Sequence, residues 1–311
     1  MKKFIFNIAC TFFIAGLIIV LLNSIYMNGY YVSALSLDKY NEEVPYNIEV
    51  ANLGNSHGGA LNYSEVQNRV CYNFAMGGQN LSYDYLVLKE YGNHLAKGAT
   101  LFVEVSYFDF YHQVTDDESE RLKAYYFILS PKNNPRYDKK DDFLYHYFPL
   151  LAIHPDQLVK VAKNVYDYYK SILFQGQVNT KEIQYEFIDN SEQRFEDHYR
   201  YYTKCQGIVD EIEYGAFIDI LKYAQNNDIQ AVVITTPYTK QYSDRWDKQY
   251  KENFYSLISD VTELYGVEYV DFNNCDEFTN NTELYTDADH LNKTGGAMVV
   301  NYLLNMFCED N

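Results

Sequence analysis

The hydrophobic pattern opens with one long unbroken run. Phe4 to Leu22, FIFNIACTFFIAGLIIVLL, has only Asn7 and Thr11 as clearly polar members. As a helix it would span about 28 Å, enough for a bilayer core. Beyond it the apolar runs are short. NIEVANLG (47–54), RVCYNFA (69–75), ATLFVEVSY (99–107), IQAVVITTP (229–237) and GVEYVDF (266–272) read as strands. LFVEV and VVIT are apolar on both faces, as buried parallel strands are. SYDYLVLKEYGNHLAKG (82–98), YGAFIDILKYAQNND (214–228) and DKQYKENFYSLISDVTELYG (247–266) carry helical periodicity, and each ends near Gly or Asn.

Strands alternating with helices predict an α/β fold, a three-layer α/β/α sandwich on a mostly parallel sheet, preceded by a transmembrane helix. The expected organisation is a cytoplasmic tip and anchor at 1–22, a polar, Tyr-rich stalk at 23–44, and one domain at 45–311. An insertion at about 111–215 interrupts the rhythm. Pro149 and Pro155 break its helical pieces, and a polar stretch follows. It is either a lid over one end of the sheet or a structural excursion.

Lys2 and Lys3 precede the apolar run and predict a cytoplasmic N-terminus with the rest of the chain extracytoplasmic. The nearest small-residue cleavage site, Val32-Ser33-Ala34, lies well past that run. An uncleaved anchor is therefore expected in place of a cleaved signal. The formal charge of -18 argues against a nucleic-acid partner, and also against loose attraction to an anionic lipid surface. The 34 tyrosines and 19 phenylalanines reflect either codon bias or aromatic faces lining a glycan or apolar groove. Cys71, Cys205, Cys275 and Cys308 are scattered without a CxxC pair, so neither a zinc site nor any other metal or cofactor is expected. They are either disulfide-bonded or buried free thiols.

Chemistry concentrates at the two ends of the main domain. Ser56 lies in ANLGNSHGGALN, where a strand turns into a short helix. A serine hydroxyl needs a base, and the base needs an orienting group. His290, in YTDADHLNKTGG, follows the last strand. Asp287, three residues earlier, shares a face with it in a helical turn, and Asp289 is the rival orienter. His94, His112, His146, His154 and His198 are expected to be structural or on the surface, and His57 at most supports the site. In an open parallel sheet both loops gather at the strand C-terminal edge.

These blocks resemble the SGNH/GDSL hydrolase superfamily. LGNSHG stands where that family has its nucleophile motif, and DADHLN where it has D-x-x-H. The resemblance implies Ser56 as nucleophile, His290 as base and Asp287 as orienter. It implies an oxyanion hole from the N–H groups of Ser56 and Gly78, in NFAMGGQN, with Gly77 as the alternative. It covers 47–107 and 215–307. The GGQ…YDY…LKEY phrasing and the anchor resemble the membrane-bound DltD-like and alginate O-acetylation branch. That implies an extracytoplasmic esterase or O-acyltransferase on acyl esters of cell-surface polysaccharide, with a membrane-bound O-acyltransferase as partner. One departure is clear. The family's G-x-N-D block should follow the third strand, but VEVSYFDFY has no asparagine, leaving Ser106 or Tyr107 as hydroxyl donors. A non-catalytic, membrane-tethered glycan-binding or scaffold protein with this fold is the alternative.

Overall fold

The computed structural model describes residues 2–35, 37–40, 43–112, 119–175 and 187–308. The chain divides into two compact units, 1–43 with 119–183 and 44–118 with 184–311.

The second unit is built on five short strands: β1 (Ile48–Leu53), β2 (Cys71–Asn73), β3 (Leu95–Glu104), β4 (Gln230–Thr235) and β5 (Glu268–Asp271). Every pairing is parallel and the order is β2-β1-β3-β4-β5. All five strands fall where the apolar runs place them. In this order the winding reverses between β1 and β3, so a crevice opens at the C-terminal ends of those two strands.

Ten helices of the two units serve as landmarks, numbered along the chain: α1 (Lys2–Tyr26), α2 (Ser56–Gly59), α3 (Leu81–Tyr91), α4 (Ser119–Ile128), α5 (Lys139–Tyr147), α6 (Leu158–Gln175), α7 (Ser191–Lys204), α8 (Glu211–Asn226), α9 (Lys248–Tyr265) and α10 (Lys293–Phe307). Val50, Phe102, Val232 and Ile234 project from one sheet face onto Val299, Val300 and Leu303 of α10. Alternate side chains project to the opposite face, where α3, α8 and α9 pack on one another and on β4 and β5. Helices thus flank both faces, as the alternating pattern predicts.

Two local readings differ. The periodic stretch at 82–98 is helical only to Tyr91, and a strand begins at Leu95. Gly98 takes φ +74° and its N–H donates to Asp228 O. Only there does the chain enter the regular apolar segment that pairs with β1. Residues 23–35 and 37–40, within the expected stalk at 23–44, are in helix and tight turns, with Tyr26, Tyr31, Leu35 and Leu37 buried.

In the first unit α1 is apolar and largely exposed from Phe4 to Leu22, while Asn23 and Tyr26 near its end are buried. By length and hydropathy it could be a membrane span or a signal sequence. Residues 119–175 of the expected insertion belong to this unit, while α7 belongs to the second unit. The acidity is just as unevenly shared. Residues 1–43 and 119–183 hold 13 Lys/Arg and 10 Asp/Glu, a net +3, whereas the remainder carries 12 and 33, a net -21.

Candidate active site

The turn after β1 is held from several sides. Gly54 has φ +137°, and a Cβ there would come within 2.8 Å of the Glu104 side chain. Only glycine meets both demands. The Gly54 N–H donates to Asp84 Oδ1 at 2.8 Å. Asn55 caps α2, its Oδ1 accepting the His57 N–H at 2.8 Å. Asn52 and Asn73 close the other end by donating to Gly58 O at 3.1 and 3.0 Å. Ser56 is the first residue of this single helical turn and is half-buried.

The loop from Tyr285 to Leu291 brings the second half. These two residues form an antiparallel bridge, and Thr239 donates to Ala288 O through both N–H and Oγ1. Gly296 of α10 lies against Ala60 O so closely that no side chain would fit. The helix behind His290 is thereby pressed onto the segment behind Ser56.

His290 Nε2 lies 3.0 Å from Ser56 Oγ. On the other side of the ring, Nδ1 lies 2.9 Å from Asp287 Oδ1. Asp287 Oδ1 also accepts the backbone N–H of His290 at 2.8 Å. Asp289 Oδ1 is farther from Nδ1, at 3.3 Å. A carboxylate can only accept, so Nδ1 carries hydrogen and the neutral ring leaves Nε2 to accept from the serine. Burial disfavours the imidazolium, yet its hydrogen bonds to Asp287 and Asp289 and their charge outweigh this and raise His290 to about 9.

Asp289 is engaged elsewhere. Arg194 of α7 grips it with a fork, Nε to Oδ1 at 2.8 Å and Nη2 to Oδ2 at 2.9 Å. His57 Nε2 lies 3.0 Å from Oδ2. Burial opposes the charge, but these partners and His290 hold the carboxyl well below the usual carboxylate range.

A second Ser–His–Asp series runs behind the first. Ser106 Oγ lies 2.7 Å from His57 Nδ1, and His57 leads to Asp289. This buried connectivity is consistent with a catalytic triad, but Ser106 is 0 % exposed. Its hydroxyl also meets Glu104 Oε1 at 2.7 Å and Asn55 Nδ2 at 3.0 Å.

Counting hydrogens along this series fixes its protonation. Ser106 Oγ has one hydrogen and two lone pairs, and Asn55 Nδ2 can only donate to it. If Ser106 donates to an ionised Glu104, then His57 must donate from Nδ1 as well as to Asp289, making it a cation. If Glu104 is a carboxylic acid, it donates to Ser106, which donates to a neutral His57. One captive proton is needed in either state. Burial lowers His57 and raises Glu104 to about 7, which favours the arrangement with the proton on Glu104.

The expected donors just after β3 are thereby accounted for. Ser106 belongs to the buried series, and Tyr107 OH donates to Asp271 Oδ2 at 2.8 Å. Gly78 has φ +70° in a turn closed by Gln79 N–H donating to Met76 O at 3.0 Å. Gln79 and the Gly54 N–H meet on Asp84 Oδ1, which ties the Gly78 turn to the nucleophile turn. The N–H groups of Ser56, Gly77 and Gly78 have no hydrogen-bond partner among the described residues.

His57, Asp289 and His290 offer ligand atoms within 4.8 Å of one another. All three are already hydrogen-bonded, and the guanidinium on Asp289 opposes a cation there. The five cysteines are free thiols.

Several residues here were not singled out from the sequence: Glu104, Asp84, Arg194, Asn52 and Asn73. Glu104 did leave a signal, a lone carboxylate inside the apolar strand LFVEV. Arg194 left none, because its polar helix looks like any solvated one.

No family model and no curated protein matches the chain. Among solved structures it is similar to one named as a platelet activating factor from Streptococcus pneumonia, at 12% identity over 94% of this chain and 98% of that one, TM-score 0.41. Another is named as a GDSL-like lipase from Parabacteroides merdae, at 10% identity over 85% and 96%, TM-score 0.36. Likeness at this level carries nothing for the site, which stands on its own geometry.

Proposed function

We propose that this protein is a membrane-anchored serine esterase or O-acyltransferase of the SGNH type. Ser56 is its nucleophile, His290 its base and Asp287 its orienting group. The observation that carries this reading is His290 Nε2 at 3.0 Å from Ser56 Oγ with Asp287 on the opposite ring nitrogen. Ser106 is the less suitable nucleophile because it is fully buried and already meets three polar partners.

The Ser56 proton passes to His290 Nε2 as Oγ bonds the acyl carbon of an ester. The resulting oxyanion takes the N–H groups of Ser56 and Gly78, both free to donate. α2 is one turn long, so these donors matter more than any helix dipole. Collapse breaks the original ester C–O bond, and His290 returns the proton to the leaving alkoxide. A second hydroxyl, from water or a sugar, gives its proton to His290 and attacks the acyl-Ser56 ester. The bond to Oγ then breaks and Ser56 regains its hydrogen.

The anchor and the DltD-like and alginate O-acetylation phrasing favour acyl esters of cell-surface polysaccharide, with a membrane-bound O-acyltransferase as partner. Retention of α1 is supported by its own fold, since Asn23 and Tyr26 near its end and Gly29 and Tyr31 just after it are buried within the first unit. The test is hydrolysis of a small acetyl ester and of acetylated glycans by the full chain in detergent. Activity lost in Ser56→Ala and kept in Ser106→Ala supports the assignment. Equal activity in wild type and Ser56→Ala overturns it, and no turnover by folded wild type favours the scaffold alternative.

A further inference from the structure

In the first unit, the end of α1 is fastened to residues far along the chain. Asn23 is buried, donates to Tyr147 O at 2.9 Å, and accepts the Leu150 N–H at 3.1 Å. Tyr169 OH donates to Ile25 O at 2.7 Å, and Asn164 Nδ2 to Tyr30 OH at 2.9 Å. Gly29 lies against the Tyr169 ring with no room for a side chain. α5 and α6 are therefore pinned where the apolar run gives way to polar sequence.

Those helices expose several large apolar side chains. Val159, Tyr166 and Leu173 of α6 are 82, 64 and 75 % exposed. With Ala162 and Tyr169 they recur in steps of three and four, one stripe along the helix. Phe143, Tyr147 and Leu151 add further exposed apolar area beside Asn23. Lys160, Lys163 and Lys170 of α6 face one acid, Asp167. A basic amphipathic helix with aromatic members is the composition that lies in a lipid–water interface.

We infer that α5 and α6 rest in the lipid–water interface around the exit of α1, with the Val159–Tyr166–Leu173 stripe among the acyl chains and the lysines at anionic headgroups. The inference rests on the reading of α1 as a membrane span. It differs from the expectation drawn from the net charge of the whole chain, which disfavours an anionic surface. The excess acid lies in the second unit, and the first unit beyond Lys2 and Lys3 holds 11 Lys/Arg and 10 Asp/Glu, a net +1. The bilayer is the favoured occupant because Tyr169, midway along α6, is fastened to Ile25 at the end of the apolar run, where lipid is the adjoining apolar phase.

The test places an environment-sensitive fluorescent amino acid at one position at a time in the full chain: 159, 166, 173, 167 or 17. The chain is held in phosphatidylcholine–phosphatidylglycerol nanodiscs containing shallow or deep spin-labelled lipid. Emission at 159, 166 and 173 is expected to shift to the blue and be quenched by the shallow label, more than at 167. Position 17 should be quenched by the deep label. Quenching at 17 with none along the stripe overturns the inference while leaving the anchor standing. No quenching at 17 removes the anchor reading and the inference with it.

Discussion

His290 Nε2 stands 3.0 Å from Ser56 Oγ, although 234 positions separate the two residues. The sheet brings them together, Ser56 at the end of β1 and His290 in the loop before α10. The pressing of Gly296 onto Ala60 fixes the approach.

The two aspartates beside His290 should part in function. Asp287→Asn removes the nearer acceptor at Nδ1 and favours the wrong tautomer, so kcat should fall about 10³–10⁴-fold. Asp289→Asn leaves Asp287 in place but loses the Arg194 fork, and should cost stability more than kcat. Steady-state kinetics beside thermal melts of both variants check this, and the reverse pattern would make Asp289 the orienter.

The rate should climb with pH. His290 must be neutral to accept the serine proton, and its carboxylate partners raise it to about 9. kcat/KM for an uncharged ester should therefore rise through neutrality and level off above about 9. Asp289→Asn removes one of the groups favouring the imidazolium and should move the profile to lower pH. A profile already flat at pH 7 would mean that the carboxylates raise His290 far less than this.

Glu104 should behave as a carboxylic acid. Glu104→Gln can donate to Ser106 and still accept from the turn, so it should keep most activity and fold normally. Glu104→Leu strands the Ser106 and Asn55 groups, at about 1–3 kcal/mol for each buried group left unsatisfied. Burial raises the carboxyl from 4.5 to about 7, so the folded state holds this proton more tightly than the unfolded chain. The stability it gives is complete below pH 4.5 and fades as pH rises through about 7. Melts of Glu104→Gln across that window should fall less steeply than wild type, and equal slopes would count against the captive proton.

Gly54→Ala should damage the site from behind. The methyl group meets Glu104 and the backbone leaves its favoured region, at a cost of about 1–3 kcal/mol of strain. A loss of esterase activity larger than the change in melting temperature accounts for would show the turn has moved Ser56. An unchanged kcat would mean the turn tolerates the shift.

The five strands were legible because each is a short apolar run bounded by turns, and the Ser56, Asp287 and His290 cluster because strand-end loops of a parallel sheet share an edge. The buried series was not. Ser106 looked like a replacement for a missing oxyanion donor, and only the positions of Glu104 and His57 reveal that its hydroxyl points inward. Arg194 lies in the stretch that broke the α/β rhythm, where periodicity gives no register with the sheet. The distribution of acid between the units needed the packing of 119–175 with the N-terminal segment, which no local pattern encodes.

The central claim is that Ser56 is the reactive nucleophile, and a fluorophosphonate tests it most directly. Intact protein treated with the probe should gain one adduct, located on the peptide containing Ser56, absent in Ser56→Ala and slow to form in His290→Ala. Folded wild-type protein that stays unlabelled, or carries the adduct on Ser106, would contradict it.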